Sequence, residues 1–394
     1  MITFFFWIFV FFVIYPYAGY PMLLGLLARL KAPQKEYHPV EPQVTLLIAA
    51  YNEETFIAAK LENSLALDYP REKLQILVTD DGSTDRTRAI VEEFVARGVE
   101  VSTSPERHGK MAAINRAMAQ ARGEIVAFSD ANNMYEIGTL RAMVRPFADK
   151  SVGAVSGSKI ILKGDGALGE SEGAYWKYES WIKKQETRLG STISATGEIF
   201  ALRRILFECP PDDIINDDFY MAMSVVKKGY RMVFAPDARS SERISLTAID
   251  EVARRTRINA GRYQVFGRFA DIAPFNQPVI IWQIISHKFM RTLVPLGMIG
   301  AFLTNLFLVI FPPAGGPLAL LRLATPWNLV FLLLQVAFYL LALLGSLIKL
   351  DSNLARLLYI PTFLVNSNLA ALLGLIRYLT GSQTSLWNKV KRRT

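Results

Sequence analysis

Met1 to Ala28 contains no charged side chain, and its run FFFWIFVFFVIYPYAGYPMLLGLLA leaves few folds open. About 20 apolar residues of helix span a bilayer core, so a stretch of this length reads as a membrane segment, with a bend or break at Pro16 and Pro21. A cleaved signal peptide would show a positive start, a shorter apolar run and a small-residue cleavage site. None is evident, so the segment reads as a retained anchor. Three more uncharged stretches follow: Thr292–Leu321, broken at Pro312–Pro317, then Leu323–Ile348 and Leu357–Ile376. Their length and clustering favour spans over buried soluble helices.

Charge tells how such segments are oriented. The 394 residues are 51% hydrophobic with a net charge of +9, which excludes disorder and raises nucleic acid or an anionic membrane as an acidic partner. A single cysteine, Cys209, excludes a disulfide scaffold within the chain. Residues 1–35 hold Arg29, Lys31 and Lys35 and no acid, residues 288–394 hold ten basic residues and Asp351, and residues 36–287 carry a net −3. The surplus flanks the apolar stretches, so it orients them against anionic headgroups and speaks against nucleic acid. Arg29, Lys31 and Lys35 end the first stretch, and Lys288 and Arg291 begin the second, which places the middle region in the cytoplasm. An unpaired cysteine suits that compartment.

Four full crossings would leave both termini outside, against the basic tail WNKVKRRT. Pro361, Asn366, Ser367 and Asn368 interrupt the last stretch, so a re-entrant or interfacial hairpin would return the tail to the cytoplasm. Alternatively, the Pro16/Pro21 break lets the first segment enter without crossing. The count stays at three or four. The resulting division is a membrane segment at 1–30, a middle domain at 40–260, an amphipathic interfacial region at 250–287, membrane segments at 288–380 and a basic tail at 381–394.

The middle region alternates strands with helices. VTLLIAA (44–50), LQILVTD (74–80), VEVST (99–103), EIVAFSD (124–130) and VGAVSG (152–157) are short apolar, β-branched runs bounded by turn residues. Helical patterns lie near 54–66, 86–97, 110–121 and 138–147. This order implies an α/β fold, a mostly parallel sheet covered by helices, with ligands at the carboxyl ends of the strands. Polar clusters stand at those ends: Tyr51-Asn52-Glu53-Glu54, then Asp80-Asp81-Gly82-Ser83-Thr84-Asp85, then Asp130-Ala131-Asn132. Helix capping accounts for Ser83, Thr84 or Asp85 but not for the adjacent acids Asp80 and Asp81. Asp130 followed at i+2 by another oxygen ligand suits a divalent cation that leaves coordination positions to phosphate.

Taken in order, AAYNEE (49–54), LVTDDGSTD (77–85), GKMAAIN (109–115), FSDAN (128–132), ATGEIFALRR (195–204), NDDFYMAM (216–223) and GYRMVFAPDA (229–238) resemble the family 2 glycosyltransferases. These are inverting enzymes with a GT-A, Rossmann-like fold that use nucleotide-activated sugars. The membrane segments at both ends are similar to those of the cellulose- and hyaluronan-synthase-like branch. The resemblance implies that Ala50, Tyr51 and Glu53 line a nucleoside pocket, that Asp81 accepts a hydrogen bond from the base, usually uracil, and that Asp80 supports it. It implies that Lys110 contacts the diphosphate. It assigns Asp130 and Asn132 to the DxD motif that holds Mn2+ or Mg2+, with Asn132 standing where the family usually has Asp. Asp218 matches the final Asp of the family's TED motif and is the candidate base, with Asp217 in support; Glu198 falls where the family places acceptor-facing residues.

Inversion requires a base for the acceptor hydroxyl and positive charge for the departing nucleotide diphosphate, which a carboxylate and a cation with Lys or Arg supply. The NDD segment also suits a helix cap with first-turn acids, a role compatible with catalysis. Long-polymer synthases carry QxxRW near the membrane; here Arg254-Arg255-Thr256-Arg257-Ile258 keeps Arg and lacks Gln and Trp. Arg254 or Arg257 contacts phosphate, or the segment is the basic face of an interfacial helix. Transfer of one or few sugars to a lipid-linked or glycan acceptor fits at least as well as a processive synthase. Gly164-x-Gly166-x-x-Gly169 formally matches a dinucleotide fingerprint and would suit a membrane-attached oxidoreductase, but it follows about five strands and reads as a flexible loop. A scaffolding membrane protein is the third alternative. Trp176, Tyr178 and Trp181 read as core or interface packing, or as a sugar-stacking platform. The expected protein is a multi-pass enzyme of the inner or plasma membrane, its oligomeric state open.

Overall fold

The computed structural model describes residues 1–32, 36–162, 166–243, 247–347, 353–384 and 386. Lys35, Gly164, Asp351 and the tail from Trp387 lie outside the described residues. Eight strands form one sheet: β1 Val44–Ala50, β2 Leu74–Asp80, β3 Val99–Thr103, β4 Ile125–Asp130, β5 Met134–Tyr135, β6 Val152–Ile161, β7 Phe200–Arg203 and β8 Arg231–Glu242. Their order is β3-β2-β1-β4-β7-β6-β8-β5. β1 to β4 pair in parallel, as does β6 with β8, while β7 runs antiparallel between β4 and β6 and β5 runs antiparallel along the edge of β8.

Every residue of β1 and β2 is buried, the expected state of parallel strands covered on both faces. One apolar layer includes Leu46, Ile48, Ile76 and Val78; the opposite layer includes Leu47, Leu77, Val126 and Phe128. The parallel register aligns Ala50 with Asp80, and Ala49 with Asp130. Chain order reverses at β1, which lies between β2 and β4, so the polar strand ends converge at a topological switch point. Gly166 and Gly169 of the formal fingerprint belong to the helix Gly166–Leu189, so the described part of that motif is helix, not the expected loop.

Among the described residues, four helical segments are long and apolar enough to cross a membrane: Ile2–Arg29, Pro278–Ile310, Trp327–Leu347 and Ile360–Leu379. The first does not break at its prolines. It widens into a π-helical stretch at Tyr15–Gly19, which re-registers the backbone hydrogen bonds around Pro16 and Pro21. The last helix, Asn353–Leu379, likewise continues through Pro361 and Asn366–Asn368, where the sequence predicted an interruption. Thr362 Oγ1 donates to the Ala342 carbonyl at 2.9 Å, and Asn368 Nδ2 to that of Leu364 at 2.8 Å, so the polar side chains are satisfied without opening the helix.

The second apolar helix begins at Pro278, well before the uncharged stretch, because His287, Lys288 and Arg291 find buried partners on the helix Gly166–Leu189 and the segment after it. His287 contacts Glu186 at 2.8 Å and Glu179 at 3.2 Å, Arg291 pairs with Glu179, and Lys288 donates to Ser194 Oγ at 2.7 Å. Tyr20 from the first helix donates to Glu186 at 2.6 Å, and Tyr178 donates to the Tyr17 carbonyl at 2.8 Å. Trp181 lies against Gly25, where an added Cβ would approach its ring to 3.1 Å. Tyr178 and Trp181 therefore pack on the first apolar helix.

Candidate active site

The strand-end loops are held together by side chains that the sequence places next to the acids. Asp81 is fully buried, and its two oxygens accept the backbone N–H groups of His108 and Gly109 at 2.9 and 2.8 Å. It thereby fixes the turn that delivers Lys110 at the start of the helix Lys110–Met118. Gly82, at φ +71°, passes so near this turn that a Cβ would sit 2.7 Å from the Glu106 carbonyl carbon. Both oxygens of Asp80 accept the Ser83 N–H, at 3.3 Å each. Asn52 joins the first loop to the second: its N–H donates to Ser83 Oγ at 2.9 Å and its Oδ1 accepts the Thr84 N–H at 2.8 Å. The Arg107 guanidinium lies 3.8 Å from the centre of the Tyr51 ring.

Lys110 is the hub. Its ammonium stands 3.0 Å from Asp130 Oδ1 and 3.2 Å from Asp217 Oδ2, joining the end of β4 to the first turn of the helix Asp217–Lys227. Burial opposes its charge, but Asp130 and Asp217 outweigh that cost and hold its pKa above the usual lysine range. Asp218 behaves in the opposite way: burial, then the neighbouring Asp217 charge, raise its pKa above the ordinary aspartate value, against the pull of Lys110. A carboxylate made more basic beside a second carboxylate is the arrangement a general base needs. Gly197 borders it, since a Cβ there would lie 3.4 Å from that of Asp218.

The helix Ala248–Gly267 completes the enclosure. Gly261 lets its backbone close on the loop before Asp217, where an added Cβ would meet Ile215 at 2.8 Å and Asn216 Oδ1 at 2.9 Å. Asn216 Nδ2 donates to the Ile258 carbonyl at 3.0 Å. Burial lowers the Arg257 pKa, countered by the charges of Asp217 and Asp130, which face it.

Residues 45–209 match the model of Glycosyl transferase family 2. The chain carries a glycosyltransferase family 2 domain. It is 29% identical over 292 residues to the probable glycosyltransferase YdaM of Bacillus subtilis, covering 68% of this chain and 67% of that protein. It is 29% identical over 255 residues to a beta-monoglucosyldiacylglycerol synthase of Nostoc sp., a match covering 62% of this chain and spanning about half, 54%, of that enzyme. The solved structure of a mannosyltransferase from Pyrobaculum calidifontis in complex with GDP-Man and Mn2+ aligns with a TM-score of 0.70 at 23% identity, over 96% of this chain and 100% of that one, a likeness in fold. The sheet is thus GT-A-like, with apolar helices near both termini.

Within the glycosyltransferase domain, the remaining predicted residues divide. Ala50 is buried in β1 and its carbonyl accepts the Asp81 N–H at 3.1 Å; the Glu53 N–H donates to Thr87 Oγ1 at 2.7 Å. Arg254 is drawn away from the acids around Lys110, its Nη2 pairing with Glu251 at 2.7 Å. Glu198 is buried beside Lys159 and Ser240. It is 5% exposed, accepts Lys159 Nζ at 2.6 Å and Ser240 Oγ at 3.1 Å, and burial with nearby Glu242 raises its pKa. Its role here is to underlie the Asp130 loop, since the Asn133 side chain donates to the Glu198 carbonyl at 3.1 Å and to Ser240 Oγ at 2.6 Å. Lys60, fully buried, donates to the Asn133 carbonyl at 2.8 Å, and burial pulls its pKa down to about 7. Sequence reasoning gave Asn52 and Gly197 no role of their own within the motifs that contain them, and it passed over Lys60, Arg107 and Asn133. A lysine amid the apolar positions of the pattern near 54–66 was the one available signal.

No group of three His, Cys, Asp or Glu side chains that could hold a metal occurs among the described residues. Asp130 and Asn132 nevertheless share one short loop of hard oxygen donors, and Asp130 keeps a 35% exposed side chain. That set fits a divalent cation that draws its other ligands from phosphate oxygens and water.

Proposed function

We propose that the chain transfers a sugar, with inversion, from a nucleotide-diphosphate donor, UDP-linked, to a lipid-linked or glycan acceptor at the cytoplasmic face of the cell membrane. The observation that carries this reading is the Lys110 bridge between Asp130 and Asp217 with the basic carboxyl of Asp218 beside it, at the switch point of the sheet. In this reading Tyr51, Glu53 and Arg107 border the nucleoside, and the buried Asp81 shapes that pocket by holding the His108 and Gly109 N–H groups. Lys110 and Arg257 face the diphosphate, whose negative charge replaces part of the carboxylate charge they now compensate.

Asp218 takes the proton of the acceptor hydroxyl as the new glycosidic bond forms and the nucleoside diphosphate departs from the opposite face of the sugar. Asp217 holds Lys110 in place and keeps Asp218 basic. Asp130 and Asn132 would hold a Mn2+ or Mg2+ ion, which when bound would supply Lewis-acid neutralisation of the leaving group. The segment Arg254-Arg255-Thr256-Arg257-Ile258, which keeps Arg but lacks the Gln and Trp of long-polymer synthases, supports transfer of one or few sugars over extended polymerisation. Membranes containing the full chain, incubated with a panel of radiolabelled sugar nucleotides, test the reading. Incorporation from one UDP-sugar into lipid-extractable product is expected, and no incorporation from any sugar nucleotide overturns it.

A further inference from the structure

Within the helix Asn353–Leu379, Ile360–Leu379 meets the length and hydropathy of a membrane span; Thr362 near its start bonds to the third apolar helix at Ala342, but its later residues have the neighbours of a surface helix. It runs alongside the helix Ala248–Gly267. Arg255 Nη1 donates to Ser367 Oγ at 2.8 Å, Gly374 abuts Asn259 and Ala260 where a Cβ would come within 2.8 Å, and Tyr263 stacks on Tyr378 at 6.3 Å. The shared helix carries Arg254, Arg255, Arg257 and Arg262, and its Arg257 faces the candidate catalytic acids. Such a helix does not lie inside the hydrocarbon.

Depth can be read from a second set of contacts. Arg291 lies over the Tyr17 ring at 5.5 Å, which puts the two on one level, where both helices meet the helix Gly166–Leu189 through Tyr178 and Glu179. The last helix meets that level twice: Asn368 Nδ2 donates to Tyr17 OH at 3.4 Å, and Tyr378 stacks on Tyr263, whose hydroxyl donates to the Thr292 carbonyl at 2.9 Å. Between residues 368 and 378 a helix advances about 15 Å, so a steep span would leave the level by that much. At its carboxyl end Arg377, Tyr378 and Gln383 line, with Ile215, Gln264 and Arg268, an open cavity of about 440 Å3 on the catalytic domain. Ala370, Ala371 and Asn368 are buried, while Leu369, Leu373, Ile376 and Leu379 are exposed in a stripe on the other side.

The first two apolar helices are tied at both ends, and the third at the end away from the catalytic domain. Away from the catalytic domain, Trp7 Nε1 donates to the Leu321 carbonyl at 2.8 Å and Asn328 Nδ2 to that of Leu308 at 2.8 Å. Near the domain stand the Tyr20, Tyr178 and Lys288 bonds described above. We propose that the chain crosses the membrane three times and that helix Asn353–Leu379 lies in the plane of the leaflet facing the catalytic domain, its leucine stripe inserted at the boundary of headgroups and acyl chains. The carboxyl terminus is then on the side of the catalytic domain, and the basic tail no longer conflicts with the positive-inside rule.

The lone Cys209, exposed on the catalytic domain, is a built-in reference for labelling by a membrane-impermeant maleimide in inverted and right-side-out vesicles. In a Cys209→Ser background, Ser382→Cys is expected to react from the side where Cys209 reacts, and Gly315→Cys from the opposite side. Reaction of Ser382→Cys from the side of Gly315→Cys, or of Gly315→Cys from the side of Cys209, overturns the proposal. An epitope appended after Thr394 reads the same question without substitution. Proteolytic removal from the Cys209 side supports the in-plane helix, and removal only from the other side overturns it.

Discussion

Two clusters of buried charge use nearly the same residue types and come out opposite. At the junction with the apolar helices, Glu179 and Glu186 are enclosed by His287, Arg291, Tyr20 and Thr192, and every carboxylate oxygen has a partner. Burial resists their ionisation, yet Arg291 and His287 for Glu179, and His287 for Glu186, outweigh it and hold both pKa values below the usual glutamate range. In the first turn of the helix Asp217–Lys227, Asp218 has burial and Asp217 against it, and its value rises. Burial is common to both; the sign is set by whether the nearest charge is opposite or like. A depressed carboxylate joins two parts of a fold, whereas a raised one keeps free energy available for taking a proton.

The largest expected effect separates the two clusters by activity. Asp218→Asn removes the proton acceptor, and transfer falls by roughly 10²–10⁴-fold while donor affinity stays within about threefold. Wild-type transfer in that variant would sink the base assignment. The same substitution removes a carboxylate whose raised pKa makes its ionised form a cost to folding above that pKa, so unfolding should be unchanged or slightly later.

Glu179→Gln should do the reverse. Stranding buried Arg291 costs about 3–5 kcal/mol, read as an earlier unfolding transition in detergent, with turnover per folded molecule retained. An unshifted transition would mean that this junction does not stabilise the fold.

Asp130→Ala removes one carboxylate from the proposed cation site, and donor binding in manganese should weaken roughly tenfold, about 1.4 kcal/mol. Unchanged affinity in manganese would count against the ligand role.

The smallest effect is in pH. Transfer should decline as pH falls through the raised Asp218 value, since the protonated acid cannot accept a proton. The stability supplied by Glu179 and Glu186 is present above their unfolded values and is lost only as pH falls through their lower folded ones. Activity should therefore disappear in a window where tryptophan fluorescence still reports a folded chain. Coincident loss of both would erase the contrast.

Much of the domain was legible in the chain. The runs at 44–50, 74–80 and 99–103 are strands with the read limits, because apolar β-branched segments bounded by turn residues leave little choice when both faces are covered. The acids at the strand ends were visible for the same reason. What they hold was not: Asp81 organises the backbone before Lys110, and Glu198 turns inward to Lys159. Neither orientation is encoded within three or four residues of the acid. Arg254 pairs with Glu251 three residues before it on the same helix, a contact the spacing allows, whereas the charges of Asp217 and Asp130 come near Arg257 only because that helix packs over the loop before Asp217.

By itself the sequence determined which segments are strands, which are apolar enough for lipid and on which side of them positive charge accumulates, since these follow from local composition and period. Tertiary structure alone decided which charges distant in sequence meet. It also set the neighbours of the last apolar helix, on which the proposed three crossings rest: hydropathy measures only the cost of exposing a helix to water, while the depth at which it settles depends on the long-range contacts it makes.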